Sequence, residues 1–220
     1  MEVSPFQRLH YALPLETTAT LKRNCGQMIA KMVVTSMKAL DALHSRISAP
    51  RLTDPPPDEE TLENIYLAAF RAADHGLLRP WRFLVIRGES RAKLGELFLQ
   101  ASLEQDPDLP PEKQESIRQK PSRAPLILVT ISCPKEHPKV PDFEQNFSAA
   151  AASQNMLVAA HAQGVGAMWR TGTMAYHPIV MNGLGLQDNE TIIGFLYIGT
   201  INGPLKTLSK PDIDEYFKEW

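Results

Sequence analysis

Arg71-Ala72-Ala73-Asp74-His75-Gly76-Leu77-Leu78-Arg79-Pro80-Trp81-Arg82-Phe83 stands where an amphipathic helix has to stop and a buried strand has to begin. Upstream, Leu62, Ile65, Ala69 and Ala72 recur at helical spacing. Downstream, Trp81 to Ile86 is a short run of β-formers bounded by Pro80 and Gly88. Between them the chain places two arginines, an aspartate, a histidine and a glycine. A polar loop at a helix-to-strand junction is a common place for a ligand site, and equally a plain connection with solvated charges.

The length of 220 residues suits one main domain with a substantial core. A net charge of −2 gives no electrostatic reason to expect nucleic acid or an anionic membrane as partner. The two cysteines, Cys25 and Cys133, make no disulfide framework, and a reducing cytoplasm is the simplest compartment. No apolar run reaches the ~20 residues of a membrane helix, and the N-terminus does not read as a signal peptide.

Working outward, residues 27–43 have Ile29, Val33, Met37 and Leu40 on one helical face. Asp58 is a good N-cap for a helix over 59–72, and Ser90 for one over 91–103. Residues 104–122 are polar and proline-rich, with room for a short helix at 112–119, and read as a flexible cover. Leu126 to Ile131 is a continuous apolar run, the pattern of a strand buried on both faces. Cys133 and His137 follow; one of each is too few for a metal site, and a small buried cysteine at a strand end outweighs a thiol nucleophile.

Asp142 with Gln145 has the spacing of a capping box, and Gly164 suits a C′ position, so the longest helix is expected over about 143–163. Its alanines leave it slim on several faces, while Phe143, Phe147, Leu157 and His161 supply bulk on one stripe. Such a helix suits a subunit interface or a monomer core. Thr191 to Thr200 is the last core strand, preceded by a short helix from His177-Pro178 to about Leu184.

Two further stretches carry chemistry. Arg46-Ile47-Ser48 offers a guanidinium that can pair bidentately with phosphate and a hydroxyl that can add a short donor. Gly164-Val165-Gly166-Ala167-Met168-Trp169-Arg170-Thr171-Gly172 lacks the third glycine of a dinucleotide fingerprint, but offers an indole face and backbone donors.

Together these stretches resemble the nitroreductase family of flavoproteins. Arg71, Asp74, His75, Pro80, Trp81 and Phe83 match its helix-loop-strand element, with Ala73 in place of the usual proline and Arg79 of the usual glutamine. Arg46 and Ser48 match its Arg-x-Ser element, with Ile47 replacing a frequent basic residue. Gly164 to Gly172 is similar to its Gly-x-Gly-x-x-Trp-Arg-Ser/Thr-Gly segment, and Ile192 to Thr200 to its closing strand.

The resemblance spans about residues 37–205. It divides the chain into an N-terminal extension over 1–36 and an FMN-binding domain over 37–220. It implies an α+β fold: a central mixed, mostly antiparallel sheet with helices on both faces, a three-layer α/β/α sandwich. It further implies a homodimer with FMN at the subunit interface.

Arg46, Ile47 and Ser48 would hold the phosphate and ribityl end, and Arg71, His75, Trp169, Arg170 and Thr171 would approach the flavin. Ala159, Ala160, His161, Ala162, Gln163 and Gly164 match a segment the family associates with NAD(P), although a helix C-terminus suits a diphosphate poorly. The implied reaction is a ping-pong relay through flavin N5 from NADH or NADPH to a small-molecule oxidant, nitroaromatic or quinone-like. No side chain is assigned as catalytic and no metal is expected. A non-catalytic flavin-binding protein, or another flavin reaction such as dehalogenation, is the alternative.

Overall fold

The computed structural model describes residues 37–220. The expected extension over 1–36 and the first part of the helix expected over 27–43 lie outside the described residues. In chain order the elements are α1 (Ala39–Ser45), β1 (Leu52–Thr53), α2 (Glu59–Ala69), β2 (Trp81–Arg87), α3 (Ser90–Gln105), α4 (Pro111–Arg118), β3 (Leu126–Ser132), α5 (Asp142–Ala162), β4 (Gly166–Arg170), α6 (Pro178–Gly183), β5 (Thr191–Ile201) and α7 (Ile213–Tyr216).

β3 is buried along its whole length, as its unbroken apolar run requires. It pairs with β2 on one side and β5 on the other; β5 in turn pairs with β4 and, at its end, with β1. All these pairings are antiparallel. β2 and β4 therefore stand at opposite margins, three strand spacings or roughly 14 Å apart.

Strand alternation divides the core in two. Ile127, Val129, Ile131, Phe195 and Tyr197 point to a layer built on Leu94 and Phe98 of α3 and Val180 of α6. Leu126, Leu128, Leu196 and Ile198 point the other way, to Leu62 and Ile65 of α2 and to Ala152, Met156 and Ala160 of α5. The result is an α+β sandwich with helices on both faces of the sheet.

Two expectations are corrected. The capping box at α5 does not form: Pro141 is the N-cap, and the buried Gln145 side chain instead bonds the Lys135 N–H (2.8 Å) and the Lys135 and Val140 carbonyls (2.8 and 3.2 Å). Burial made a tie to the preceding loop worth more to this amide than a reach back to the helix start. The polar cover over 104–122 is anchored: Ile117 packs on the core and Pro121 is buried. Arg118 pairs with Glu96. A Cβ at Gly95 would collide with the Arg118 carbonyl oxygen, so α3 and this segment touch backbone to backbone.

Of the bulky stripe on α5, Leu157 is buried and the two phenylalanines near the helix start face outward. Ala149, Ala152 and Ala160 are buried, whereas Phe143 and Phe147 are 58% and 67% exposed and stack edge to face on each other.

Candidate functional site

Beside β4, on the α3 face of the sheet, lies a cavity of about 430 Å³. Its walls come from elements remote in sequence: Phe98 of α3, Tyr197 of β5, the end of β4 with Trp169, Arg170 and Thr171, and the turn Lys120–Arg123 just before β3. Antiparallel register places Arg170 beside Phe195 and Met168 beside Tyr197, so both side chains share this face. Between them, the Trp169 side chain points to the opposite face and packs on the α2 and α5 layer, where it occupies the space a side chain at Gly194 would fill and Nε1 donates to the Ile193 carbonyl at 3.3 Å.

Among the described residues the lining carries three cations, Lys120, Arg123 and Arg170, and no carboxylate. Burial, reinforced by Arg123, lowers the Lys120 pKa. Burial also pushes the Tyr197 hydroxyl up to about 12, with Arg170 acting against it. The Arg170 guanidinium lies 5.4 Å over the Tyr197 ring, and one terminal nitrogen reaches the Pro50 carbonyl at 3.5 Å. Among the described residues its buried Nε has no hydrogen-bond partner. An orphaned guanidinium N–H among cations, beside aromatic walls, is the donor set that an anionic aromatic ligand with ring carbonyls would satisfy. The residues present thus fit FMN.

Arg46, Ile47 and Ser48 follow α1 into an extended segment that runs along β4, where the Ala49 N–H donates to the Ala167 carbonyl at 2.9 Å. Through Pro50 this segment meets Arg170, so the structure brings together the two stretches that the sequence assigns to the phosphate and to the ring. Ser45 and Arg46 also meet the end of α5. The Ser45 hydroxyl donates to the Asp41 carbonyl, and its oxygen stands 2.9 Å from His161 Nε2. Burial, and then the Arg46 charge, lower the His161 pKa.

The segment Ala159 to Gly164 is the last turn of α5 and its stop. Gln163 is bonded to Asn64, to the Thr61 carbonyl and to the Ala159 carbonyl, Ala160 is buried, and Gly164 takes the left-handed φ of 74° that ends the helix. These side chains fasten α5 to α1 and α2.

Arg71 and His75 lie elsewhere. Arg71 is exposed at the end of α2, on a shallow groove it shares with Leu43 of α1 and with Asn155 and Ala159 of α5. His75 opens a one-turn 3-10 segment on the β2 side of the sheet and donates from Nδ1 to Glu144 Oε2 at 2.8 Å. Glu144 is in the first turn of α5 and His161 in its last; at ~1.5 Å rise per residue they stand roughly 25 Å apart along the axis. One chain therefore does not bring His75 to Arg46, nor to the cavity at the opposite margin.

Lys120, Arg123, Tyr197 and Glu144 escaped the sequence reading. A pair of cations flanking Pro121 immediately before the most buried strand was the available signal for the first two. The thiol alternative has no support. Cys133 Sγ donates to Glu190 Oε1 at 2.9 Å, burial pushes its pKa up to about 12, and His137 bonds the Lys139 N–H instead. Among the described residues no group of His, Cys, Asp and Glu could hold a metal.

The chain is similar to known proteins of one family. The Nitroreductase family model matches residues 43–200. An Escherichia coli K12 protein bearing the name "Putative NAD(P)H nitroreductase YdjA" is 40% identical over 164 residues, covering 74% of this chain and 88% of its own. A nitroreductase-like family protein from Bacillus cereus has a similar fold, with a TM-score of 0.74 at 23% identity over 84% of this chain and 97% of that one. A Desulfovibrio desulfuricans protein solved in complex with FMN aligns with a TM-score of 0.62 at 23% identity over 84% and 98% of the two chains. This chain belongs to the nitroreductase family.

Proposed function

We propose that this chain is an FMN-dependent oxidoreductase that takes hydride from NADH or NADPH and delivers it to a nitroaromatic or quinone-like acceptor. The observation that carries the reading is the cation-lined cavity with its orphaned Arg170 Nε, joined through Pro50 to the Arg46-Ile47-Ser48 segment. When bound, FMN supplies the hydride chemistry at its N5. Arg46 and Ser48 would hold its phosphate. Phe98 and Tyr197 would give the ring its aromatic walls, and Lys120, Arg123, Arg170 and Thr171 would donate to its oxygens. None of these side chains needs to gain or lose a proton; they bind, orient and exclude water.

We infer further that the working unit is a homodimer with a shared site. His75 lies too far from the cavity of its own chain, and a second copy would bring it there. Exposed Phe143 and Phe147 on α5, with Leu67 and Phe70 at the end of α2, supply the apolar surface such an interface needs. No helix of the described residues is long and apolar enough to cross a membrane. A free thiol at Cys133 suits a reducing cytoplasm.

The visible spectrum of the purified protein, followed by anaerobic titration with NADH and with NADPH, tests the reading. A flavin spectrum that bleaches with one equivalent of reduced nucleotide is expected. A colourless protein that takes up no FMN at high micromolar concentration contradicts it.

A further inference from the structure

We propose that His75 is the proton donor to the acceptor, and that Glu144 positions it for that task. The inference rests on the flavin reading above and adds to it the source of a proton.

Hydride alone does not complete either acceptor reduction. A quinone takes up one hydride and one proton to become a hydroquinone. A nitro group takes up one hydride and one proton to become a nitroso group, with cleavage of one N–O bond and release of water. The cavity offers few donors for that proton. An arginine does not give one up, and the Tyr197 hydroxyl, pushed up to about 12 by burial, is a weak acid. Lys120 is the one competitor.

The loop around His75 is built to present this residue. Leu77 and Arg79 both take left-handed backbone conformations, with φ of 54° and 48°, which residues with a side chain adopt only at a cost. The Asp74 carboxylate holds the loop by accepting from the Leu78 and Arg79 N–H groups at 3.2 and 2.7 Å. Lys135 Nζ donates to the Leu78 carbonyl at 2.6 Å. No burial compensates the strain: Leu77 is 81% exposed and the His75 side chain 60% exposed. A strained loop clamped this thoroughly, with its histidine left open, is organised for contact with something outside its own chain.

Glu144 completes the arrangement. By accepting the Nδ1–H at 2.8 Å it fixes the ring plane and leaves Nε2 as the atom that can release and regain a proton. The balanced step is transfer of the Nε2 proton to the acceptor oxygen as hydride arrives at the acceptor. Water re-protonates Nε2 afterwards.

Stopped-flow reoxidation of the reduced, FMN-loaded protein tests this with two oxidants. Benzoquinone needs a proton for each hydride, whereas ferricyanide takes electrons without one. Glu144→Gln and Glu144→Ala are expected to slow reoxidation by benzoquinone about 10- to 100-fold, to diminish its solvent deuterium isotope effect, and to leave the ferricyanide rate unchanged. Glu144→Asp should recover part of the loss, and in the FMN-free protein the nitrogen NMR shift of His75 Nδ1 should change in Glu144→Gln and Glu144→Ala and hold in Glu144→Asp; an unchanged shift in all three would overturn the positioning role. Three results would overturn the inference: benzoquinone rates equal to wild type in both variants, equal losses with both oxidants, or loss of the isotope effect in Lys120→Gln instead. If the wild-type protein takes up no FMN, or its flavin is not reduced by NADH or NADPH, the proposed function fails and this inference falls with it. Normal reduction with unaffected Glu144 variants sinks the inference alone.

Discussion

The cavity beside β4 and the loop over residues 74–79 are built in opposite ways. The cavity gathers side chains from α3, β4, β5 and the turn before β3, spread over some hundred positions of chain. It concentrates positive charge and leaves one buried donor without a partner. The loop is continuous in sequence, satisfies its own polar groups through Asp74, Lys135 and Glu144, and stores its cost as backbone strain. The cavity thus offers donors to a ligand's oxygens, and the loop offers its histidine to a surface outside its own chain. They lie at opposite margins of one sheet, so a second copy of the chain is the economical way to join them.

The largest expected effect is on the cavity. Arg170→Glu replaces the orphaned donor with an acceptor and reverses a charge, and should weaken FMN binding about 100-fold or more, measured by flavin fluorescence on titration. Retention of stoichiometric FMN by this variant would remove the cavity from the account.

The base of the loop should respond next, in stability. Glu190 is buried and accepts two hydrogen bonds from Arg82, at 2.8 and 2.7 Å, immediately after the loop rejoins β2. Arg82 holds the Glu190 carboxyl down at about 2, below its ordinary 4.5. A carboxylate depressed on folding contributes stability above its unfolded pKa, so this contribution is present above pH 4.5 and drains away as pH falls towards 2. Glu190→Gln should cost about 3 kcal/mol at neutral pH and flatten the acid side of the stability curve, as denaturant unfolding between pH 2 and pH 7 would show. An unchanged pH profile would mean that the pair is not what holds the loop's base.

A smaller change should separate packing from binding. Gly194→Ala pushes a methyl group into Trp169 and is expected to cost about 1–3 kcal/mol in thermal unfolding, with FMN binding weakened only as far as the displaced indole shifts the strand that carries Arg170. Asp74→Ala should be milder still, about 1 kcal/mol, because it frees one exposed and one part-buried N–H group while releasing the strain at Leu77 and Arg79. If Asp74→Ala weakens flavin binding more than Gly194→Ala does, the loop and not the indole is the more demanding contact.

The loop was legible in the sequence because its residues are consecutive. Asp74, His75 and Gly76 between a helical and a strand pattern mark a turn with ligand groups from residue order alone. The apolar run of β3 and the alanine-rich length of α5 were legible for the same reason. The cavity was only half legible. Trp169 to Thr171 read as a motif, but the strand that carries them was hidden in a glycine-rich stretch too short for periodicity to show. Lys120 and Arg123 sat in what looked like a loose polar cover, because the anchoring of that segment depends on the absence of a side chain at Gly95, a contact between backbones remote in sequence. The outward turn of Phe143 and Phe147 was equally invisible: spacing places them on one stripe, and only packing decides which stripe faces the core.

Complementation between two defective subunits tests the shared site most directly. Arg170→Glu damages the cavity and spares the loop; His75→Ala damages the loop and spares the cavity. Co-expressed with different affinity tags and purified as the mixed dimer, they should form one site with both intact parts and one with neither. The account predicts about half the wild-type turnover with NADH or NADPH and benzoquinone per dimer, against near-background activity for each variant dimer alone. Background activity in the mixed dimer as well would contradict it, because it would mean that each chain builds its site from its own cavity and its own loop.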